Sequence, residues 1–381
     1  MSRYILYIGS LWLLLMACMG CSDDDKPASV HALEHHVLVY LVADNTLNSQ
    51  AEDNLQAITR GYLASSKQAE LYVYKDNKAG APSLYHFTAE GLPELVCQFD
   101  ETDSTDPAQI QRVCKTAFAT NGRQNPVNTL ILWSHGTNWV PGSYQNLTLK
   151  SFGDDDGKYI DIAPLAASLE QMEVQTVMFD ACLMGSAEVA AEFAGVARYL
   201  VASPTEILAA GFPYEQVIPI LCQSQPDLKQ VIDAYHAFYD VQSGRYRSGI
   251  LALYDLQEMQ ALAASYGALF RAAYGNELPD SQPLLLYDRF TTPLFFDLDE
   301  AAQLCKTKVA EKDPATAEIL YNAFHEVEGK VLLYCKHTDA FIYQSLSGAS
   351  GMSVYWPTSS TQSLFEEFYR SFNWYQWMQT K

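Results

Sequence analysis

NTLILWSHGTNW at residues 128–139 and TVMFDACLMG at residues 176–185 decide how this chain is read. Each runs a continuous apolar stretch into one reactive residue, His135 in the first and Cys182 in the second. Leu130 to Trp133 and Val177 to Phe179 read as strands buried on both faces, the pattern of a parallel sheet covered by helices. His135 and Cys182 then stand just past the carboxyl ends of two strands, the edge at which open α/β sheets gather ligands and chemistry. A free cysteine is only a few per cent thiolate at neutral pH, and an imidazole beside it can take its proton or later protonate a leaving amine. Spacing alone leaves the plainer alternative open, in which the cysteine is a small core residue and the histidine a satisfied polar group.

Outward from these segments, strand-like and helix-like stretches alternate as in βαβ units. Val37–Val42 and Leu71–Tyr74 read as strands, and 83–99 as a hairpin. Asp106-Pro107 opens a helix with a capping residue followed by proline at its first position, and Ile110, Val113, Cys114, Ala117 and Phe118 repeat on one face. Leu183–Phe193 reads as a helix starting directly after Cys182. Tyr199–Ser203 and Ile250–Leu253 are further strands, and the chain after Asp255 turns helical with a late strand at Met352–Trp356.

With these residues in view, the chain resembles the clostripain family of cysteine peptidases, in the clan that holds caspases, legumain and gingipains. The His-Gly pair of that clan is matched by His135 and Gly136, and its acidic-Ala-Cys block by Asp180, Ala181 and Cys182. LVYLVADNTLNSQAEDNL at 38–55, YLVASPTEILAAGFPY at 199–214, FFDLDEAAQL at 295–304 and GASGMSVYWP at 348–357 are similar to family segments, so the likeness covers roughly residues 36–377. The fold it implies is α/β: a caspase-like α/β/α sandwich with a mostly parallel central sheet and a smaller C-terminal subdomain. The expected division is a signal peptide at 1–20, an acidic tether at 21–34, a peptidase domain at 35–255 and a C-terminal subdomain at 256–381.

The activity implied is a cysteine endopeptidase cutting after Arg or Lys through an acyl-enzyme, with Cys182 as nucleophile and His135 as general acid. Gly136 and Cys182 are the expected oxyanion donors, because glycine lets the backbone approach closely. In the clostripain branch the carboxylate matching Asp180 lies in the pocket for the residue before the cut bond. Its alternatives here are to cap the following helix or to anchor a loop. After Ala202-Ser203 this chain has Pro204-Thr205-Glu206 where relatives carry acidic or amide residues, so Glu206 is the replacement candidate and Pro204 removes a backbone donor. Asp44 and Asn45 either line the same cleft or form a plain turn. Relatives are cut between the His and Cys strands during activation, which makes Lys150 and Lys158 candidate self-cleavage sites. A single-chain enzyme is the alternative. Some relatives require calcium, and Asp154, Asp155, Asp156 and Gly157 are the candidate contacts, although their spacing completes no calcium loop and reads equally as an acidic turn. No other cofactor is expected, and no CxxC or Cys/His spacing calls for zinc.

The N-terminus carries an Arg, an apolar stretch from Tyr4 to Ala17 and small residues before Cys21, as in a bacterial lipoprotein processing site. Cys21 is the expected lipidated residue and Cys18 the runner-up. Ser22-Asp-Asp-Asp25 resembles the signal that sends lipoproteins to the outer face of the outer membrane, so the expected location is lipid-anchored and surface-exposed. With 24 basic and 45 acidic residues the formal charge is −21, which argues against nucleic acid and is compatible with basic peptide or protein substrates, although acidic residues also serve simply to keep an exported protein soluble. The competing functional class is a surface-displayed binding lipoprotein that has lost turnover on the same fold.

Overall fold

The computed structural model describes residues 35–88, 90–119, 127–140, 151–275, 277–279 and 283–380. The expected lipidation residue Cys21, its runner-up Cys18 and the candidate cleavage site Lys150 lie outside the described residues. Five strands come first: β1 (His35–Ala43), β2 (Glu70–Asn77), β3 (Gly80–Phe87), β4 (Pro93–Gln98) and β5 (Val127–Trp133). A hairpin of β6 (Phe152–Asp155) and β7 (Lys158–Ile160) precedes β8 (Val174–Asp180), β9 (Tyr199–Ala202) and β10 (Ile250–Asp255). The last third adds β11 (Phe295–Asp297), β12 (Leu332–His337), the pair β13 (Ala340–Phe341) and β14 (Gln344–Ser345), and β15 (Ser353–Tyr355).

The central sheet runs β12-β10-β9-β8-β5-β1-β2-β3-β4. Its middle, from β2 through β1, β5 and β8 to β9, is parallel. Both flanks are antiparallel, β3 and β4 on one side and β10 and β12 on the other. This mixed sheet accounts for the two sequence patterns: parallel strands sandwiched between helices are apolar on both faces, whereas β4 at one edge and β12 at the other carry exposed or half-buried residues.

Alternation along β1 divides its side chains between two cores. Leu38, Tyr40 and Val42 join Leu130, Leu132, Val177 and Phe179 on one face. Val37, Val39, Leu41, Ile131, Trp133 and Met178 face the other way. Helices α1 (Asn48–Ala64), α5 (Tyr214–Leu221) and α6 (Leu228–Asp240) cover the second face. The first is covered by α2 (Pro107–Ala117), α3 (Ile162–Leu169), α4 (Ala187–Phe193) and α7 (Met259–Tyr274), with α8 (Leu298–Ala310) and α9 (Pro314–Val331) behind them and α10 (Ser359–Tyr369) and α11 (Asn373–Met378) completing the layer. The expected cap of α2 is present, Asp106 accepting from the Ala108 N–H at 2.7 Å with Pro107 beside it.

The expected boundary at 255/256 marks no break in packing. From His35 onward the described residues form one compact unit, Leu262, Leu298 and Trp374 share a core with the sheet, and β12 closes the sheet by pairing with β10. The helix expected directly after Cys182 starts four residues later, at Ala187. Leu183 takes a positive φ of 68°, its N–H and that of Gly185 donate to Thr205 and Ser203 carbonyls at 2.8 Å, and Ser186 then caps α4. Among the described residues, no helix is long and apolar enough to cross a membrane.

Candidate active site

β5 and β8 pair in parallel with Trp133 opposite Asp180. Two residues further along each strand come His135 and Cys182, so neighbouring strands about 5 Å apart deliver both side chains to the same edge. Gly136 makes the approach closer still. A Cβ added there would stand 2.9 Å from the Cys182 carbonyl oxygen, 3.2 Å from Ala181 Cβ and 2.5 Å from Met184 Cε. The His-Gly and Asp-Ala-Cys blocks therefore touch through backbone that tolerates no side chain at 136.

The histidine side is knit together by buried polar groups. Gly153 N–H donates to the His135 carbonyl at 3.0 Å and Thr137 N–H to Ser151 at 3.1 Å, a bridge that leaves the Gly136 N–H outside its ladder. Ser134 Oγ donates to the Val42 carbonyl at 2.8 Å, and His135 Nε2 lies 2.8 Å from Thr46 Oγ1. Asn45 is committed to the backbone: its amide donates to the Val42 and Asp154 carbonyls at 3.0 and 2.6 Å, and its oxygen accepts the Leu47 N–H at 2.7 Å. Asp44, half-buried, accepts the Asp156 N–H on its carbonyl at 2.9 Å. Asn45 is thus placed as the turn-former that fastens β1 to the β6–β7 hairpin.

That hairpin contains the acidic run. Asp154 Oδ1 accepts the Gly157 N–H at 2.9 Å, Asp155 is buried and accepts the Ser104 N–H at 2.6 Å, and Asp156 and Gly157 turn the chain with φ of 48° and 88°. Asp155 also faces Asp76. Burial and the mutual repulsion of the carboxylates raise the Asp76 pKa to about 7, with Ser104 opposing the rise. Lys158 is exposed on β7, paired opposite Asp155.

On the cysteine side, Cys182 is half-buried and its sulfur is held by Ile207, donating to the carbonyl at 3.7 Å and accepting the N–H at 3.3 Å. Burial pushes this thiol up to about 12, and the Glu206 and Asp180 carboxylates add to the rise, while the Ile207 N–H and Arg289 oppose it. In this conformation the sulfur is a neutral thiol at pH 7. Asp180 is buried, with Oδ2 accepting the Phe212 N–H at 2.9 Å and the Tyr214 hydroxyl at 2.8 Å. Burial raises its pKa to about 6 against the pull of those two bonds. Gly211, at φ 68°, packs so closely that an added Cβ would meet Asp180 Oδ2 at 2.7 Å. Of the roles open to Asp180 from sequence, anchoring a loop is the contact present here.

Glu206 pairs with Arg289, Oε1 to Nε at 2.8 Å, while its Oε2 is buried and has no hydrogen-bond partner among the described residues. Beyond this pair lies a cavity of about 500 Å³ lined by Leu208, Ala209, Tyr239, Arg245, Arg289 and Ile342, among others. Cys97, Cys114, Cys222, Cys305 and Cys335 are free thiols, as is Cys182.

Sequence reasoning missed Thr46, Ile207, Tyr214 and Arg289. Thr46 had a signal, since it directly follows the Asp44-Asn45 strand end. Arg289 had none, because it reaches Glu206 only through tertiary packing across 83 residues.

No curated protein gives a significant match. Among solved structures, the chain is similar to an inactive zymogen C11 protease from Parabacteroides distasonis, at 25% identity over 91% of this chain and 98% of that one, with a TM-score of 0.77. It shares the fold of a secreted C11 cysteine protease from Bacteroides thetaiotaomicron in complex with an irreversible peptide inhibitor, at 24% identity over 91% of this chain and 99% of that one, with a TM-score of 0.75. The Clostripain family profile matches residues 39–380. A sheet of this topology that ends in adjacent histidine and cysteine residues, together with that match over nearly the whole described chain, places the protein among the cysteine peptidases of the Clostripain family.

Proposed function

We propose that the protein is an endopeptidase that cuts after Arg or Lys, using Cys182 as nucleophile and His135 as general acid. The observation that carries this is the shared register of β5 and β8, which puts both residues two positions past a paired Trp133 and Asp180. Cys182 sulfur forms a bond to the scissile carbonyl carbon as its proton passes to His135. His135 then gives a proton to the departing amine, and water attacks the thioester to release the acid and restore the thiol. The Gly136 and Cys182 N–H groups are the donors assigned to the oxyanion. His135 needs no carboxylate partner in this scheme, and Thr46 holds its ring.

Two carboxylates support the basic preference. Asp180 is buried two residues before the nucleophile, where an incoming cation would stabilise the ionised form that burial disfavours. Glu206 already accepts a guanidinium, that of Arg289, the kind of contact that a substrate arginine would make. Substrate must compete with both internal partners and with the Ile207 backbone on the sulfur. Lys158 is tied into the β6–β7 hairpin and is disfavoured as a self-processing site, because a protease needs unpaired, extended chain, which leaves Lys150 as the assigned site. Lipidation at Cys21 and display on the outer membrane complete the proposal, and the acidic run at 154–157 is assigned a turn rather than a calcium loop.

The test is hydrolysis of fluorogenic peptides ending in Arg, Lys, Asn or Asp by reduced protein and by Cys182→Ala. Cleavage after Arg and Lys that disappears in Cys182→Ala is the expected result. Cleavage confined to Asn or Asp removes the acidic-pocket assignment, and cleavage that survives in Cys182→Ala removes the nucleophile.

A further inference from the structure

Helices α8 and α9 bring together three side chains that the sequence holds apart. Asp299 sits in the first turn of α8, and His325 and Glu328 lie three residues apart on α9. One ligand atom from each lies within 4.8 Å of the other two. Residues spaced i and i+3 share a helix face, so α9 offers both donors toward the same point.

An ordinary ion pair explains only part of this arrangement. His325 Nδ1 and Glu328 Oε2 are 3.1 Å apart, which satisfies one carboxylate oxygen. The other, Glu328 Oε1, is buried in a residue only 6% exposed and has no hydrogen-bond partner among the described residues. A buried acceptor left unpaired is costly and calls for a ligand. Around it the donors are already oriented. Asp299 accepts the Tyr321 hydroxyl on Oδ1 at 2.9 Å and the Gln303 amide on Oδ2 at 2.7 Å. The His325 ring lies parallel to Tyr321, 5.9 Å between centroids and 6° between planes. Outer partners of this kind fix the direction of ligating side chains. The His325 side chain is 64% exposed, which leaves a route in and room for water on the open side.

We propose that Asp299, His325 and Glu328 form a binding site for a divalent transition-metal ion, zinc in particular. One imidazole nitrogen with two carboxylates is a donor set for zinc rather than for calcium, which takes six to eight oxygens. Three protein ligands and one water complete a tetrahedral shell. Ligand atoms about 2.1 Å from a tetrahedral zinc stand about 3.4 Å apart, so a pair at the 4.8 Å limit closes by roughly 1.4 Å, within reach of a rotamer adjustment of the exposed His325 side chain. The ion takes the place of the proton held between His325 and Glu328, which is released to solvent, and it joins α8 to α9.

The test is calorimetric titration of zinc chloride into the full chain carrying Cys182→Ala, which removes a competing thiol beside His135. One zinc binds per chain, and zinc raises the melting temperature. Adding His325→Ala weakens binding by about tenfold or more and abolishes the zinc-induced rise; because it also strips buried Glu328 of its bond to His325, the melting temperature without zinc falls as well, and the readout is the zinc-induced shift in each variant. Glu328→Gln gives the same loss of zinc binding. Equal zinc affinity with and without His325→Ala, no zinc binding at micromolar concentrations, or binding of calcium in preference to zinc would each overturn the assignment.

Discussion

The two walls of the cleft are built differently. On the histidine side, Ser134, Asn45, Gly153 and Asp156 lock the ends of β1 and β5 to each other and to the β6–β7 hairpin through hydrogen bonds to backbone carbonyls. On the cysteine side, the 203–214 segment is fastened at its two ends, by Leu183 and Gly185 donating to Thr205 and Ser203 and by Asp180 accepting from Phe212 and Tyr214. Between those ends, Ala209 and Ala210 are exposed, and the polar hold includes the Cys182–Ile207 contacts, one ion pair, Glu206–Arg289, and the Tyr239 hydroxyl donating to the Gly211 carbonyl at 2.7 Å. The fixed wall sets the position of the imidazole. The other is the wall at which substrate must replace internal contacts, and its pinning residues are the same ones assigned to specificity.

Asp180→Asn gives the largest effect expected from this contrast. The amide keeps an oxygen for Phe212 and Tyr214 but loses the charge, and removing one partner of a buried ion pair costs about 2–5 kcal/mol, or roughly 30- to 5,000-fold in kcat/KM toward arginyl peptides. Kinetics on matched Arg and neutral peptides check this, and an equal fall for both would reduce Asp180 to a loop anchor. On the fixed wall, Gly136→Ala must push Met184 and the Cys182 carbonyl aside, an overpacking that destabilises by about 1–3 kcal/mol. Denaturant unfolding measures it, and wild-type stability would show that the two blocks are less tightly apposed.

The smallest effect separates the walls by pH. Asp180 has a folded pKa of about 6, above the unfolded value near 3.9, so the folded state binds the extra proton between those values. Its contribution is fully present below about pH 4 and is lost as pH rises through 6. Asp76, behind the histidine wall, continues the same trend toward pH 7, as do buried Glu188, Asp288 and Glu328, and together they outweigh His35, whose burial-lowered pKa of about 4 acts in the opposite sense. The denaturation midpoint of wild type should therefore fall from pH 4 to pH 7, and Asp180→Asn should flatten only the lower part. Identical profiles would contradict the assignment of that pKa to Asp180.

Much of the fold was legible because the parallel strands are apolar on both faces and end in recognisable residues. Leu130–Trp133 and Val177–Phe179 needed no tertiary information, and the hairpin expected at 83–99 corresponds to β3 and β4. β12 was not read. Its LLYCKH follows α9 directly, and the one breaker nearby, Gly329, lies inside the last helical turn, so the residues at the junction, Lys330 to Leu332, do not mark the change from helix to strand. The delayed start of α4 was equally hidden, because it depends on Leu183 and Gly185 giving their N–H groups to a segment twenty residues away. At the site, the positions of His135 and Cys182 follow from strand register, whereas Arg289 on Glu206 and Asp299 beside His325 and Glu328 arise only when distant elements pack. Short-range pattern reports which strand end carries a reactive group, and it does not report which partner that group meets.

The central claim is that Cys182 is the nucleophile of a pocket that accepts a basic residue. Intact-mass and peptide-mapping analysis after incubation with a peptidyl chloromethyl ketone ending in arginine tests it most directly. One adduct per chain is expected, on Cys182, suppressed by competing arginyl peptide and absent in Cys182→Ala. Labelling of another cysteine in preference, or equal labelling by a ketone ending in aspartate, would contradict it.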